Sequence, residues 1–241
     1  MSGQVITCEI NSKISISISA IDDSVDLDQQ LYAINWFNLK RSWLYELYSK
    51  LAYPHVIKVG GSPLFKGKLI EKLEGENSYD REVLLIVGYL NADSFLKMVS
   101  NKWFQIKSFL RLKAVREFNF GFARRIDNKQ QPEASTPYRG NKVYLIHVMQ
   151  DMTDDKPLFN NDLLELKTKE GTLFFSGKKA AVIGQTRKGG KLKNNPFFVE
   201  RLLVWEGEDA KQLKQFVKSP EYLQIKSMSG KNNLYLFDRL V

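Results

Sequence analysis

Apolar and polar positions along the chain recur at two periods, and the switches between them mark out the elements. Lys13 to Ile21 (KISISISAI) sets Ile14, Ile16 and Ile18 on one face and Ser15, Ser17 and Ser19 on the other, the alternation of a strand. An aspartate-rich turn follows, in which Asp26 and Gln29 have capping-box spacing. From about Leu27 to Ala52, the positions Leu31, Ile34, Phe37, Leu44, Leu47 and Leu51 recur at three, four and seven. This predicts one long amphipathic helix, ended by Tyr53-Pro54 because proline disfavours a helical residue before it. His55 to Leu73 predicts a strand region punctuated by Gly60-Gly61 and Gly67, and Glu82 to Leu90 (EVLLIVGYL) a strand buried on both faces. Asn91 or Asp93 caps a helix carrying Phe95, Val99, Trp103, Ile106 and Leu110. Phe118, Phe120 and Phe122 then alternate into a strand ending at Arg124.

That order is β-α-β-β-α-β, a ferredoxin-like split βαβ module. Asp127 to Asn141 (DNKQQPEASTPYRGN) is polar, with two prolines and no apolar period, and reads as a linker. The series then begins again. Val143 to Met149 is a strand, Pro157 to Lys169 a short helix, and Thr172 to Gln185 a glycine-marked strand region. Phe197 to Trp205 is a strand, Asp209 to Met228 a helix broken at Ser219-Pro220, and Asn233 to Leu240 the last strand.

Short strings repeat in the same order in both halves. GSPLFKGK from Gly61 lies against GTLFFSGK from Gly171, at 171 − 61 = 110 positions apart. QIKS occurs at Gln105–Ser108 and at Gln224–Ser227, and Phe122-Ala-Arg124 lies against Phe237-Asp-Arg239. Three ordered matches argue for an internal duplication. The expected domains are therefore 1–127 and 142–241, joined by 128–141. A lone split βαβ module leaves one sheet face bare, and a second copy can cover it as identical subunits do about a two-fold axis. The fold class expected is α+β, two ferredoxin-like βαββαβ modules paired as an intramolecular dimeric α/β barrel, with a ligand pocket between the sheets.

SPEYLQIKS before a terminal strand resembles the ending of the small bacterial family called domain of unknown function thirteen-thirty, and GTLFFSGK resembles that family's second strand. The resemblance covers the C-terminal half better than the N-terminal half. It implies the ferredoxin-like, dimeric α/β-barrel superfamily and brings almost no mechanism with it. Other branches of that superfamily are monooxygenases, isomerases and haem enzymes, and fold does not fix function. This chain departs from the family in holding two modules, in the unequal first helices of its halves, and in a longer basic loop at Arg187 to Asn195.

Composition narrows the classes. A single cysteine, Cys8, excludes an internal disulfide. The absence of a signal-like N-terminus and of a long apolar run predicts a cytoplasmic protein with no membrane partner. The net charge of +9 admits an anionic partner.

Candidate chemistry is sparse. Of two histidines, His147 lies mid-strand and reads either as a general base in a barrel interior or as a satisfied core histidine. His55 reads as a surface residue. No metal-ligand spacing, nucleophile elbow or phosphate loop occurs, so neither metal nor cofactor is expected. Arg124 and Arg239, matched between the halves, suit a carboxylate or a surface ion pair. Tyr89, Trp103, Trp205 and Tyr222 are candidates for lining a flat-ligand pocket or for plain core. Ser15, Ser17 and Ser19 would add a small polar lining if the isoleucine face packs on the helices.

Three functions follow. The preferred one is binding of a small molecule between the sheets, by a monomer that is itself a pseudo-dimer or that associates further. The second is a cofactor-independent monooxygenase or isomerase on an aromatic substrate, with His147 as base. The third, less favoured, is nucleic-acid binding through Arg187, Lys188, Lys191 and Lys193, aided by Lys107, Arg111, Lys113 and Arg116.

Overall fold

The computed structural model describes residues 3–11, 14–76, 80–126, 142–152, 171–187, 193–194 and 199–240. The linker 128–141, the expected helix from Pro157 to Lys169, and Lys188 and Lys191 lie outside them. The fold is mixed α+β, with antiparallel strand pairing and five helices among the described residues. It contains β1 (Val5–Asn11), β2 (Ile14–Ala20), β3 (Leu31–Leu39), α1 (Ser42–Lys58), β4 (Ser62–Glu74), β5 (Val83–Tyr89), α2 (Ala92–Ser100), α3 (Lys102–Ala114) and β6 (Val115–Arg125). β7 (Val143–Met152), β8 (Thr172–Arg187), β9 (Lys193–Asn194), β10 (Arg201–Gly207), α4 (Ala210–Phe216), α5 (Pro220–Lys226) and β11 (Ser229–Arg239) complete it.

The chain forms two compact units. Unit 1 is Met1–Phe65, Arg81–Arg124 and Lys179–Phe197, and unit 2 is Lys66–Asp80, Arg125–Lys178 and Phe198–Val241. Each unit draws on both halves of the chain, because β4 is divided after Phe65 and β8 after Lys178.

In unit 1 the strands neighbour one another in the order β4-β5-β3-β6, and β8 joins β6 to the β2-β1 hairpin. The β-α-β-β-α-β order is present from β3 onward, and the hairpin precedes it. The module thus starts one strand later than the sequence pattern suggests.

The long helix expected from Leu27 to Ala52 is replaced by a strand and a helix. Leu31–Leu39 is β3, hydrogen-bonded on both sides to β5 and β6. Leu31, Ala33 and Phe37 enter the helix-covered core, while Tyr32, Ile34 and Trp36 are buried too. A strand buried on both faces shows no alternation, so a spacing of three between Leu31, Ile34 and Phe37 mimicked a helix. Asp26 caps no helix; its Oδ1 accepts from Asp28 N at 2.9 Å in a local turn.

The helix begins only at Ser42 and runs through Pro54 to Lys58. It stops at Val59 and Gly60, whose φ of 75° suits glycine. Gly61 N donates to Val56 O at 2.8 Å, which satisfies a terminal carbonyl. α1 buries Leu44, Tyr45, Tyr48 and Ala52, whereas Leu47 and Leu51 from the expected stripe lie exposed. After β5, Asn91 accepts from Ser94 N at 2.8 Å and starts α2, and Asn101 accepts from Trp103 N and Phe104 N at 3.0 and 3.1 Å and starts α3.

Unit 2 has the strand order β8-β10-β7-β11, followed by β4. The first strand of the series, β7, lies between the third and fourth, as β3 does in unit 1. The break at Ser219-Pro220 is real. Asp209 caps α4 through Gln212 N at 2.8 Å, and Ser219 caps α5 through Tyr222 N at 3.2 Å, with Pro220 in its first turn. The helices press Leu213, Phe216, Tyr222 and Ile225 onto Leu145, Met149, Leu203 and Trp205.

The repeated strings fall at matching ranks of the two series. Gly61 and Gly171 immediately precede β4 and β8. Both are sites of close approach, where a Cβ would lie 2.6 Å from Val56 Cγ1 at Gly61 and 3.2 Å from the Phe216 ring at Gly171.

Candidate functional site

Side chains on β7 alternate between two faces of the unit 2 sheet, and each face carries a polar cluster. On the helix-covered face, with Leu145 and Met149, lies His147. It is fully buried. Asn232 Nδ2 donates to the carbonyls of Lys226 and Ser229 at 3.2 and 3.3 Å, which fixes the amide orientation. Asn232 Oδ1 therefore accepts from His147 Nε2 at 2.7 Å. The proton is on Nε2, and Nδ1 accepts from the Tyr222 hydroxyl at 2.9 Å. Burial pushes the His147 pKa down to about 4, against the raising effect of the Asn232 hydrogen bond. Burial likewise raises the Tyr222 phenol well above its usual range. Trp205, Phe216 and Tyr222 pack around one another, with ring centroids 4.9 to 6.3 Å apart. His147 is neutral at pH 7 with both ring nitrogens engaged.

On the opposite face lies Tyr144. β10 sets Glu206 directly across from it, and β11 sets Phe237 on its other side. The buried Tyr144 hydroxyl donates to Glu206 Oε2 at 2.6 Å and accepts from Arg239 Nη1 at 3.3 Å. Lys142 Nζ pairs with Glu206 Oε1. The Arg239 guanidinium carbon is 5.2 Å from the Phe174 ring centroid and 5.8 Å from that of Tyr144. Burial, then the hydrogen bond to Glu206, raises the Tyr144 pKa and keeps the phenol protonated. Lys142, Glu206 and Arg239 are half-buried around it. The arrangement joins a fixed phenol donor, a carboxylate and an arginine fork lying on an aromatic ring.

The candidates read from the sequence do not converge. Trp205, Tyr222 and His147 share the helix-side core of unit 2, while Arg239 is on the other face of that sheet. Tyr89 belongs to the core of unit 1, its hydroxyl 3.6 Å from Met98 Sδ. Trp103 is 65% exposed on α3, and Arg124 is exposed near the end of β6. Ser15, Ser17 and Ser19 are half-buried on β2, whose Ile16 and Ile18 do enter the helix-covered core. β2 is paired on both sides, so it is no edge strand.

Of Arg187 and Lys193 only strand backbone is described. The second basic cluster is occupied locally. Lys107 Nζ donates to Leu51 O and lies 2.9 Å from His55 Nε2, Arg111 covers the Phe118 ring, Lys113 covers Phe109, and Arg116 is 3.9 Å from Glu82. No group of three metal-ligating side chains occurs among the described residues.

Sequence reading missed Lys142, Tyr144, Phe174 and Glu206. The available signal was strand alternation: Tyr144 neighbours His147 in sequence but points away from it.

No family model matches the chain, and no curated protein does. Among solved structures, one titled "putative monooxygenase" from Lactobacillus acidophilus matches with a TM-score of 0.50 and 10% identity, over 88% of this chain and 94% of that one. Another of the same title, from Fusobacterium nucleatum, matches with a TM-score of 0.52 and 13% identity, over 90% of this chain and 94% of that one. At this identity the likeness is one of fold.

Proposed function

We propose that the chain is a small-molecule-binding protein, and that its ligand is an aromatic acid taken at the Tyr144–Glu206–Arg239 cluster. The observation that carries this reading is a guanidinium lying over Phe174 and Tyr144 while it donates to a buried phenol. An arginine fork accepts a carboxylate bidentately, and an aromatic surface beside it suits a flat ring. Binding is an exchange, in which the ligand carboxylate takes over Arg239 while Tyr144 stays anchored on Glu206.

A second reading, an oxygenase or isomerase without cofactor, draws on the names of the two solved structures of like fold. In it His147 is no base, because both its nitrogens are engaged inside the core. The role would pass to Glu206, which already accepts the Tyr144 proton donor.

The test is calorimetric titration with benzoate, salicylate and naphthoate, on the wild type and on Arg239→Lys. The reading requires binding by the wild type, weakened roughly tenfold or more in the variant, since lysine lacks the planar fork. No heat from any of the acids, or equal affinity in both proteins, would overturn it. Oxygen uptake with the same compounds separates the second reading from the first.

A further inference from the structure

Unit 1 carries an apolar surface that its own core leaves uncovered. α3 buries only Phe104 and Ala114. Trp103, Ile106, Phe109 and Leu112 are 65%, 63%, 58% and 70% exposed. At 3.6 residues per turn, these positions cover roughly half the helix circumference. Beside it, α1 exposes Trp43 and Leu47. The two helices form one layer, tied by Lys107 reaching Leu51 O and His55, and by the edge contact of His55 with Phe104 at 6.0 Å between ring centroids.

The charge on this layer is predominantly positive. From Ser94 to Arg116 the chain has no acidic residue and has Lys97, Lys102, Lys107, Arg111, Lys113 and Arg116. The acids nearest in sequence are Asp93, paired with Lys97, and Glu117, which accepts from Asn38. Glu82 faces Arg116 from the side, and α1 contributes one acid, Glu46, against Lys50 and Lys58.

We propose that the α1–α3 layer docks on an anionic lipid surface, with α3 lying in the plane of the interface. A broad apolar arc headed by Trp103, with cations and no acids on the same helix, is the pattern of an interfacial helix. Tryptophan suits the headgroup level, and lysines within the arc can extend their heads to the phosphates. A groove-binding partner reads one stripe of anchors at i, i+3, i+4 and i+7, whereas this surface covers half of α3 and continues onto Trp43 and Leu47 of α1. The charge argues against a second copy, since a two-fold contact would set lysine against lysine. A membrane partner was not expected because the chain has no spanning segment, and no helix among the described residues is long and apolar enough to cross a bilayer. Lying on a surface requires none.

The experiment is co-sedimentation of the whole chain with vesicles of neutral phosphatidylcholine and of phosphatidylcholine containing phosphatidylglycerol. It is done at low and high salt, with tryptophan emission followed in parallel. The expected result is binding to the anionic vesicles, a blue shift, and weakening by salt. Ile106→Asp and Lys102→Glu should each lower the partition about tenfold. Both positions are exposed, and unchanged melting temperatures will show that both variants fold.

Three results would each overturn the proposal. The first is no binding to either vesicle, including the case in which light scattering gives a dimer mass that Ile106→Asp abolishes. The second is equal binding to neutral and anionic vesicles. The third is anionic binding that both variants retain, which would place the contact elsewhere.

Discussion

Helices α4 and α5 of unit 2 turn Leu213, Phe216, Tyr222 and Ile225 into their core, whereas α1 and α3 of unit 1 hold Trp43, Leu47, Trp103, Ile106, Phe109 and Leu112 outside theirs. α4 and α5 lie between β10 and β11 as α2 and α3 lie between β5 and β6, so α3 and α5 hold the same place before the last strand. In unit 1, Phe95, Leu96 and Met98 of α2 already cover the sheet alongside Leu44, Tyr45 and Tyr48 of α1. α3 is therefore left as an outer element. Among the described residues of unit 2, the two helices α4 and α5, of seven residues each, both turn their apolar side chains into the core. Large apolar residues at helical spacing thus stabilise one unit and decorate the other.

Truncation of one phenylalanine in each layer breaks or sharpens the contrast most directly. Phe216 is buried between Trp205 and Tyr222, with both ring centroids 4.9 Å away. Phe216→Ala should cost about 3–5 kcal/mol, the transfer term plus a cavity that rings on either side cannot refill. Phe109 has Lys113 above it and is 58% exposed. Phe109→Ala should change stability by no more than about 0.5 kcal/mol. Urea unfolding of the two variants measures both, and similar losses would mean that α3 is buried in solution.

The second effect concerns acid. His147 binds its proton with a pKa of about 4 in the folded chain, against an ordinary value of 6.5. Between those values the unfolded chain takes up a proton that the folded chain refuses, so stability falls as pH drops from 6.5 towards 4 and levels off below. The loss amounts to about 3 kcal/mol, the free energy of the shift. His55 is lowered as well, by burial and then by Lys107 and Lys58, but it lies only half-buried in the last turn of α1, where solvent screens it, and contributes less. Unfolding midpoints measured from pH 7 to pH 4 should therefore decline in the wild type and decline less in His147→Asn. Parallel profiles would assign the acid sensitivity to other groups.

Much of this was legible in the sequence, where the chemistry of a position had one local cause. The cap at Asn91 and the restart at Ser219-Pro220 follow from side chains acting on neighbouring backbone, and the two-face burial of β5 from its unbroken apolar run. β3 was misread because a strand buried on both faces has no period of its own, and its apolar residues happened to fall at threes. The helix was then extended over β3, which also moved the start of the module. The cluster around Tyr144 was illegible for a different reason. Lys142, Tyr144, Phe174, Glu206 and Arg239 are brought together only by the registers of β7 with β10 and β11 and of β10 with β8. His147, by contrast, could be placed on the correct face, yet the choice between catalyst and core residue needed Tyr222 and Asn232, 75 and 85 positions away.

That choice also sets the smallest effect. Tyr222→Phe keeps the ring against Phe216 and Trp205 and removes only the hydroxyl. His147 Nδ1 would then be a buried acceptor without its donor, at a cost of about 1–3 kcal/mol. The phenol can turn its proton away and accept from a protonated Nδ1, so its loss strips a partner from either form of the ring. Burial still holds the His147 pKa below its ordinary value, which the imidazole nitrogen shifts in an NMR titration would follow. A structural histidine predicts lower stability, an imidazole pKa still below the ordinary range and unchanged binding of aromatic acids. A catalytic histidine predicts little stability change and a loss of turnover with any substrate the chain accepts, and that pattern would reverse the roles assigned to the two faces of β7.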